Sequence, residues 1–238
     1  MKKVEELIEG LKDFVKKAGF KKVVLGLSGG VDSALVAKLA VMALGKENVE
    51  AILMPNQQIS SQHSVADATL WGEELGIKYH NISVESFIQN YKNLPWVESA
   101  VARMNIQSRI RATILYHYAN SHNALVLGTG NKTELTLGYF TKFGDGACDV
   151  LPIGSLYKTE VWEMAKALGL PQDIIQKTPS AELRAGHTDE EEIGMSYQTI
   201  DAILRKFEAG EKPQTEDAKK LSERIQINRH KGKLPPII

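Results

Sequence analysis

The sequence holds a single cysteine, Cys148, which excludes an intrachain disulfide and any zinc site built on several cysteines. An excess of charge of one sign is also missing, since Lys and Arg total 29 and Asp and Glu total 29. Nucleic-acid coats and membrane-surface proteins ordinarily show a basic excess, so neither partner is expected. Long apolar runs are absent as well. The uncharged stretch from Ala112 to Asn131 carries Asn120, Ser121, His122 and Asn123 at its centre, too polar for a bilayer core. The opening residues run from Lys2 and Lys3 into Glu5, Glu6 and Glu9 without the apolar stretch of a secretory signal. The expectation is a reduced, cytoplasmic protein, with its 238 residues (1–238) forming one large domain.

Hydrophobic periodicity divides the chain into alternating elements. Val4, Leu7, Ile8, Leu11, Phe14, Val15 and Ala18 recur at helical spacing, which predicts a helix over 2–18. Short apolar runs at 21–27, 49–54, 77–82 and 124–127 read as strands. Helices are expected at 33–44, 64–75, 84–91, 95–118, 156–168, 194–208 and 215–228. Residues 176–193 are polar, acidic and weakly periodic. Strands alternating with helices imply an α/β fold, a doubly wound, mainly parallel sheet with helices on both faces. Ligands then sit beyond the carboxyl ends of the strands.

The most informative segment, Gly26-Leu27-Ser28-Gly29-Gly30-Val31-Asp32-Ser33, joins the first inner strand to the next helix. Adjacent glycines let backbone N–H groups face a ligand, and the helix N-terminus adds to the same anion cradle. Ser28 and Ser33 supply hydroxyl donors. Asp32 beside a phosphate cradle is repulsive unless a cation intervenes, and Mg²⁺ is the usual one. The loop is not a Walker A motif, because Gly-Lys-Ser/Thr occurs nowhere in the chain. Nor is it the G-x-G-x-x-G of dinucleotide folds.

This loop resembles the signature of the ATP pyrophosphatase (PP-loop) enzymes, which cleave ATP between its α- and β-phosphates. Four further stretches narrow the resemblance: Gly128-Thr129-Gly130-Asn131-Lys132-Thr133-Glu134, Gly138–Gly146 (GYFTKFGDG) with Asp149 beyond it, Leu156-Tyr157-Lys158, and Thr178-Pro179-Ser180. Together they are similar to the ammonia-dependent NAD synthetase family over roughly residues 5–235. The resemblance implies the PP-loop fold, also called adenine-nucleotide α-hydrolase-like, and ATP-dependent amidation of deamido-NAD to NAD. It also implies Mg²⁺ as the metal, a homodimer, and ammonia rather than glutamine as the nitrogen source. A glutaminase domain has neither room nor a catalytic cysteine here.

Residue by residue, the resemblance assigns Gly26, Leu27, Ser28, Gly29, Gly30, Val31, Asp32, Ser33, Thr129, Lys158 and Ser180 to ATP. It assigns Asp32 and Glu134 to Mg²⁺, and Arg109, Lys142, Asp149, His230 and Lys231 to deamido-NAD. Asp32, Glu134 and Lys158 would carry catalysis. Many members have Asp-His where this chain has Gly130-Asn131-Lys132, which leaves the backbone path there open, and threonine where Ser180 stands.

Blander readings stand beside these. Arg103, Arg109 and Arg111 suit a solvated helix face, and Lys142 could pair with Asp149 across a glycine-rich loop. Asp189, Glu190, Glu191 and Glu192 read as charge complementing a helix N-terminus. His63, His80, His117, His122 and His187 show no ligand spacing. The apolar stripe Ile110–Tyr118 would suit either core or a dimer face. The polar 178–195 segment, with Gly186 and Gly194, could form a lid. Rival functions are a tRNA-thiolating enzyme, disfavoured by neutral charge and the lone cysteine, a GMP-synthetase subunit, and a non-catalytic adenine-nucleotide sensor.

Overall fold

The computed structural model describes residues 2–180, 183, 186, 188–233 and 237. In chain order the elements are α1 (Lys2–Lys17), β1 (Lys22–Gly26), α2 (Val31–Leu44), β2 (Val49–Leu53), α3 (Gln62–Leu75) and β3 (Lys78–Asn81). Then follow α4 (Glu85–Gln89), α5 (Ala100–His122), β4 (Ala124–Leu127), α6 (Lys132–Leu137) and α7 (Lys158–Ala167). The chain closes with α8 (Gln172–Gln176), α9 (Asp189–Ile193), α10 (Tyr197–Glu208) and α11 (Glu216–Asn228).

The four strands pair in parallel in the order β3-β2-β1-β4. From β1 the chain moves outward to β2 and β3, then returns through α5 to place β4 on the other side of β1. The carboxyl ends of β1 and β4 therefore flank the topological switch point, where crossovers depart in opposite directions and leave a crevice. Beyond β4, the sheet is extended by a parallel bridge between Leu127 and Val150.

Strand side chains alternate between two apolar layers. Val23, Leu25, Val49, Ala51, Leu53 and Leu127 pack on one face with α1, α2, α3, α7 and α8. Val24, Ile52 and Val126 pack on the other with Ile110 and Ala119 of α5. α2 is apolar nearly all round, with nine of its residues buried, because it lies between the sheet, α1 and α7. A third cluster joins Leu137 and Tyr157 to Tyr197, Ile200, Leu204 and Leu221. Among the described residues no helix is long and apolar enough to cross a membrane.

Three points of comparison with the sequence reading have physical causes. Of the two roles open to the Ile110–Tyr118 stripe the structure shows the core one: Ile110 is buried, and the half-buried Ile114, Leu115, Tyr116 and Tyr118 pack against the same layer. A run of exposed apolar side chains lies just before it, including Leu94, Trp96, Val97 and Val101. The helix expected from Pro95 starts at Ala100, where the Ser99 hydroxyl accepts from Ala102 N, a cap that periodicity does not reveal. The short helices α6 and α8 escaped notice because five or six residues are fewer than two helical turns.

Leu25 is fully buried, and Leu25→Ala is expected to cost about 2–5 kcal/mol in chemical denaturation. Leu70 is 63% exposed, and its alanine variant should shift stability by less than about 0.5 kcal/mol.

Candidate active site

The phosphate-type loop opens directly from β1. Gly29 has φ +81°, and a Cβ there would stand 2.2 Å from the Ser64 carbonyl oxygen, so glycine is required. Ser33 Oγ donates to Gly30 O at 3.0 Å and accepts from Ser28 N at 3.2 Å. Ser28 Oγ accepts from Gly30 N at 3.2 Å. The two hydroxyls thus brace the turn from inside. Gly30 precedes α2 without a side-chain cap, which leaves first-turn N–H groups available to an anion.

Three segments distant in sequence meet at Asp32. The Lys158 ammonium forms an ion pair with Asp32 Oδ2, and Asn131 Nδ2 donates to Asp32 Oδ1 at 2.9 Å. Asn131 also closes a capping box on α6: its Oδ1 accepts from Glu134 N at 3.0 Å, and Glu134 Oε2 accepts from Asn131 N at 3.1 Å. Asn131 therefore links the two acids, which resolves the backbone path at Gly130-Asn131-Lys132. Lys132 turns away, pairing with Glu208 over the Tyr157 ring. Thr129 follows β4 at the edge of this group, half-buried.

Lys158 is buried. Burial opposes its charged form, but Asp32, then Glu134 and Asp189, hold its pKa above the ordinary value. Glu134 moves up for the opposite reasons: burial first, then the Asp32 charge, tempered by Lys158. Two mutually repelling carboxylates with one lysine leave room for a further positive charge. Hard oxygen donors of this kind suit Mg²⁺, which keeps several water or phosphate oxygens of its own. Among the described residues no three His, Cys, Asp or Glu side chains form a complete metal cage.

Behind these residues lies a hydrogen-bonded chain that the sequence does not mark. Buried Asp201 accepts from Thr133 Oγ1 at 2.6 Å and from Thr159 N at 2.9 Å. Thr133 Oγ1 in turn accepts from Lys158 N at 2.9 Å. This chain ties α6, the start of α7 and α10 together, and so places Lys158 against Asp32. An aspartate within an amphipathic helix pattern reads as solvated, so no sequence signal marks it.

The acid run at 189–192 starts a helix as expected, and its first member has a further role. Thr188 caps α9 as a helix-start reading requires, but Asp189 is buried and accepts from Tyr197 OH at 3.0 Å and Tyr139 OH at 3.3 Å. Burial raises its carboxyl pKa against the pull of Lys158. Asp189 belongs to the electrostatics of the Lys158 group.

The residues expected at the second substrate form a separate cluster around the 138–146 loop. Arg109 Nε donates to the Lys142 carbonyl at 3.4 Å, and Lys142 Nζ donates to the His230 carbonyl at 3.1 Å. Lys231 Nζ reaches the carbonyls of Gly138 and Phe140 at 2.8 and 3.1 Å. Asp149 stands apart. Its carboxylate accepts from Val126 N at 2.7 Å and Tyr116 OH at 3.2 Å, so it does not pair with Lys142. It lines a cavity of about 250 Å³ with Phe20, Asn120 and Asn123. Ser180 is half-buried and follows Lys177, whose ammonium donates to the Gly29 carbonyl. His63 and His117 are exposed, His122 stacks on Tyr118, and His80 lies 3.4 Å from Glu50. His187 and part of the polar 178–195 segment lie outside the described residues.

Comparison with known proteins identifies the family. The NH(3)-dependent NAD(+) synthetase of Archaeoglobus fulgidus is 46% identical over 236 residues, 99% of this chain and 96% of that protein. The structure of NH3-dependent NAD synthetase from Campylobacter jejuni, in complex with the nitrate ion, is similar with a TM-score of 0.86 and 38% identity, covering 100% of this chain and 97% of that one. The structure of NMN synthetase from Francisella tularensis is similar with a TM-score of 0.89 and 36% identity over the same shares. The NAD synthase family model matches residues 3–235, and the chain belongs to that family.

Proposed function

We propose that Asp32, Glu134 and Lys158, set beside the Gly26–Ser33 loop, carry an ATP-dependent amidation of deamido-NAD by ammonia. The products are NAD, AMP and pyrophosphate, and the reaction is the last step of NAD biosynthesis. The observation that carries this reading is the convergence of the phosphate loop, Lys158 and two carboxylates at the switch point between β1 and β4.

A carboxylate is a poor acyl donor. The nicotinate carboxylate attacks the α-phosphate of ATP, pyrophosphate departs, and an acyl-adenylate forms. Ammonia then attacks the activated carbonyl and AMP leaves. The first step gathers anions, so positioning and charge neutralisation dominate. The loop N–H groups, Ser28 and Ser33 hold the phosphates, Lys158 supplies positive charge, and Thr129 and Ser180 add hydroxyl contacts to ATP. Asp32 and Glu134 would hold Mg²⁺, which offsets charge on the phosphate oxygens when bound. Arg109, Lys142, Asp149, His230 and Lys231 serve deamido-NAD, with the carbonyl-bound lysines exchanging partners as the dinucleotide enters. Exclusion of water protects the adenylate. The active form is a homodimer, for which exposed Leu94, Trp96, Val97 and Val101 offer an apolar surface.

Cys148 takes no part. Burial first, then the Asp149 charge, push its thiol up to about 11, so it stays protonated at neutral pH and is a poor nucleophile. Its Sγ lies where a Gly128 Cβ would stand, 2.5 Å away, which makes it a packing group under the Gly128–Asn131 loop.

The deciding assay mixes the protein with ATP, Mg²⁺ and deamido-NAD, with and without ammonium, and follows AMP, pyrophosphate and NAD. The expected result is ammonium-dependent NAD formation with AMP in equal amount. Nicotinate mononucleotide is run in parallel, because the Francisella tularensis neighbour is an NMN synthetase; preference for it would replace the acceptor and keep the adenylation chemistry. Asp32→Asn should lower kcat by roughly 10²-fold or more and lower the melting temperature, with Glu134 and Asp189 still facing Lys158; unchanged turnover at saturating Mg²⁺ would remove Asp32 from the site. Lys142→Ala is expected to raise KM for deamido-NAD more than KM for ATP, with equal effects counting against its role. Alkylation of Cys148 should be slow at pH 7 and accelerate as pH rises towards 11, and Cys148→Ser should keep turnover within about threefold.

A further inference from the structure

Lys177, the residue after α8, has no part in the chemistry above, yet its ammonium is fastened to the phosphate loop. Nζ donates to the Gly29 carbonyl oxygen at 2.9 Å, pairs with Asp67 of α3 and lies 3.4 Å from Ser64 Oγ. The side chain is 25% exposed, so these partners replace most of its water. Asp67 alone would satisfy an ordinary ion pair. The additional contact to a loop carbonyl, from a segment 148 residues away in the chain, calls for its own explanation.

That explanation lies in the peptide between Gly29 and Gly30. Its planarity makes the carbonyl of Gly29 and the N–H of Gly30 point in opposite directions. Gly29 is buried, and a buried carbonyl needs a donor, which Lys177 supplies. A cation anchored there fixes the plane and polarises the peptide, which strengthens the opposite N–H as an anion donor. That N–H rests on Ser28 Oγ at 3.2 Å, inside the loop. Ser64 is drawn into the same arrangement, because its carbonyl packs against Gly29 and its hydroxyl faces Lys177.

We propose that Lys177 is a positioning residue for ATP: it sets the Gly29–Gly30 peptide of the phosphate cradle and couples that peptide to the 178–180 segment carrying Ser180. The proposal rests on the ATP chemistry of the family and goes beyond the residues already assigned. Lys177 acts through the loop, so it contributes to nucleotide affinity and leaves the dinucleotide pocket alone.

The test measures binding of α,β-methylene-ATP with Mg²⁺ by calorimetry, together with KM for ATP and for deamido-NAD and the melting temperature. Lys177→Met should weaken nucleotide binding and raise KM for ATP by about tenfold or more, as expected for loss of a charge-assisted hydrogen bond. KM for deamido-NAD should stay within about twofold, and Lys177→Arg should restore most of the loss. Asp67→Asn keeps the ammonium on Gly29 and should retain nucleotide affinity within about threefold. If Lys177→Met binds nucleotide as the parent does, or raises both KM values equally, the proposal falls and Lys177 is a structural ion pair. Should Lys177→Met fail to fold, Lys177→Gln is judged by the same criteria. Nucleotide binding is read without an acceptor, so a wrong acceptor would show in the parent protein as absent NAD formation and leave this test intact.

Discussion

Everything in the site is organised around one buried cation. The Lys158 ammonium has given up its water at the start of α7, and the carboxylate of Asp32 in the first turn of α2 is its direct counter-charge. Removing either member leaves an uncompensated buried charge, which is far costlier than the pair is stabilising. The pair therefore locks the first turn of α2 to α7 across the switch point. Asn131 extends the lock to α6 and Glu134, and Asp201 fixes the backbone from which Lys158 projects. The charge distribution remains incomplete by design: three acids, Asp32, Glu134 and Asp189, face one lysine. That imbalance suits a site that must accept a cation together with a polyphosphate.

A second device recurs in the loops. Lys142, Lys177 and Lys231 each spend their ammonium on main-chain carbonyls from distant segments: His230, Gly29, and Gly138 with Phe140. A lysine can span such gaps with its flexible stem and satisfy carbonyls that loops leave without partners. Lys142 and Lys231 remain able to exchange a neutral carbonyl for a phosphate oxygen, whereas Lys177 is held on Gly29 with Asp67 beside it. Loops stapled in this way are ordered without ligand and adjustable with it, which suits an enzyme that must seat two nucleotides.

Much of the architecture was legible because burial imposes period. β1, β2 and β4 are covered on both faces and read as apolar runs, and α1, α10 and α11 show amphipathic stripes within a few residues of their observed bounds. The phosphate loop was legible for a different reason: its glycines are demanded by geometry, and Gly29 cannot carry a Cβ against Ser64. Asp189 and Asp201 were not legible. Their types and positions suit exposed helix surface; Tyr139 and Tyr197 cover Asp189, and the packing of α10 against α6 and α7 buries Asp201. The Ile110–Tyr118 stripe shows the converse, since apolar period alone cannot distinguish a face that meets the sheet from one that meets a partner.

By itself the sequence determined the alternating α/β order, the glycine-rich turn after β1 with its acid, and the absence of any disulfide. These properties are local: they follow from periodicity, from backbone freedom at glycine and from residue chemistry over a few neighbouring positions. Tertiary structure decided which charges face one another. It brought Asp32, Asn131 and Lys158 together and hung Lys177 on Gly29. It also separated Asp149 from Lys142, contrary to their closeness in sequence. Electrostatic energies depend on separation and burial in space, and chain distance carries neither.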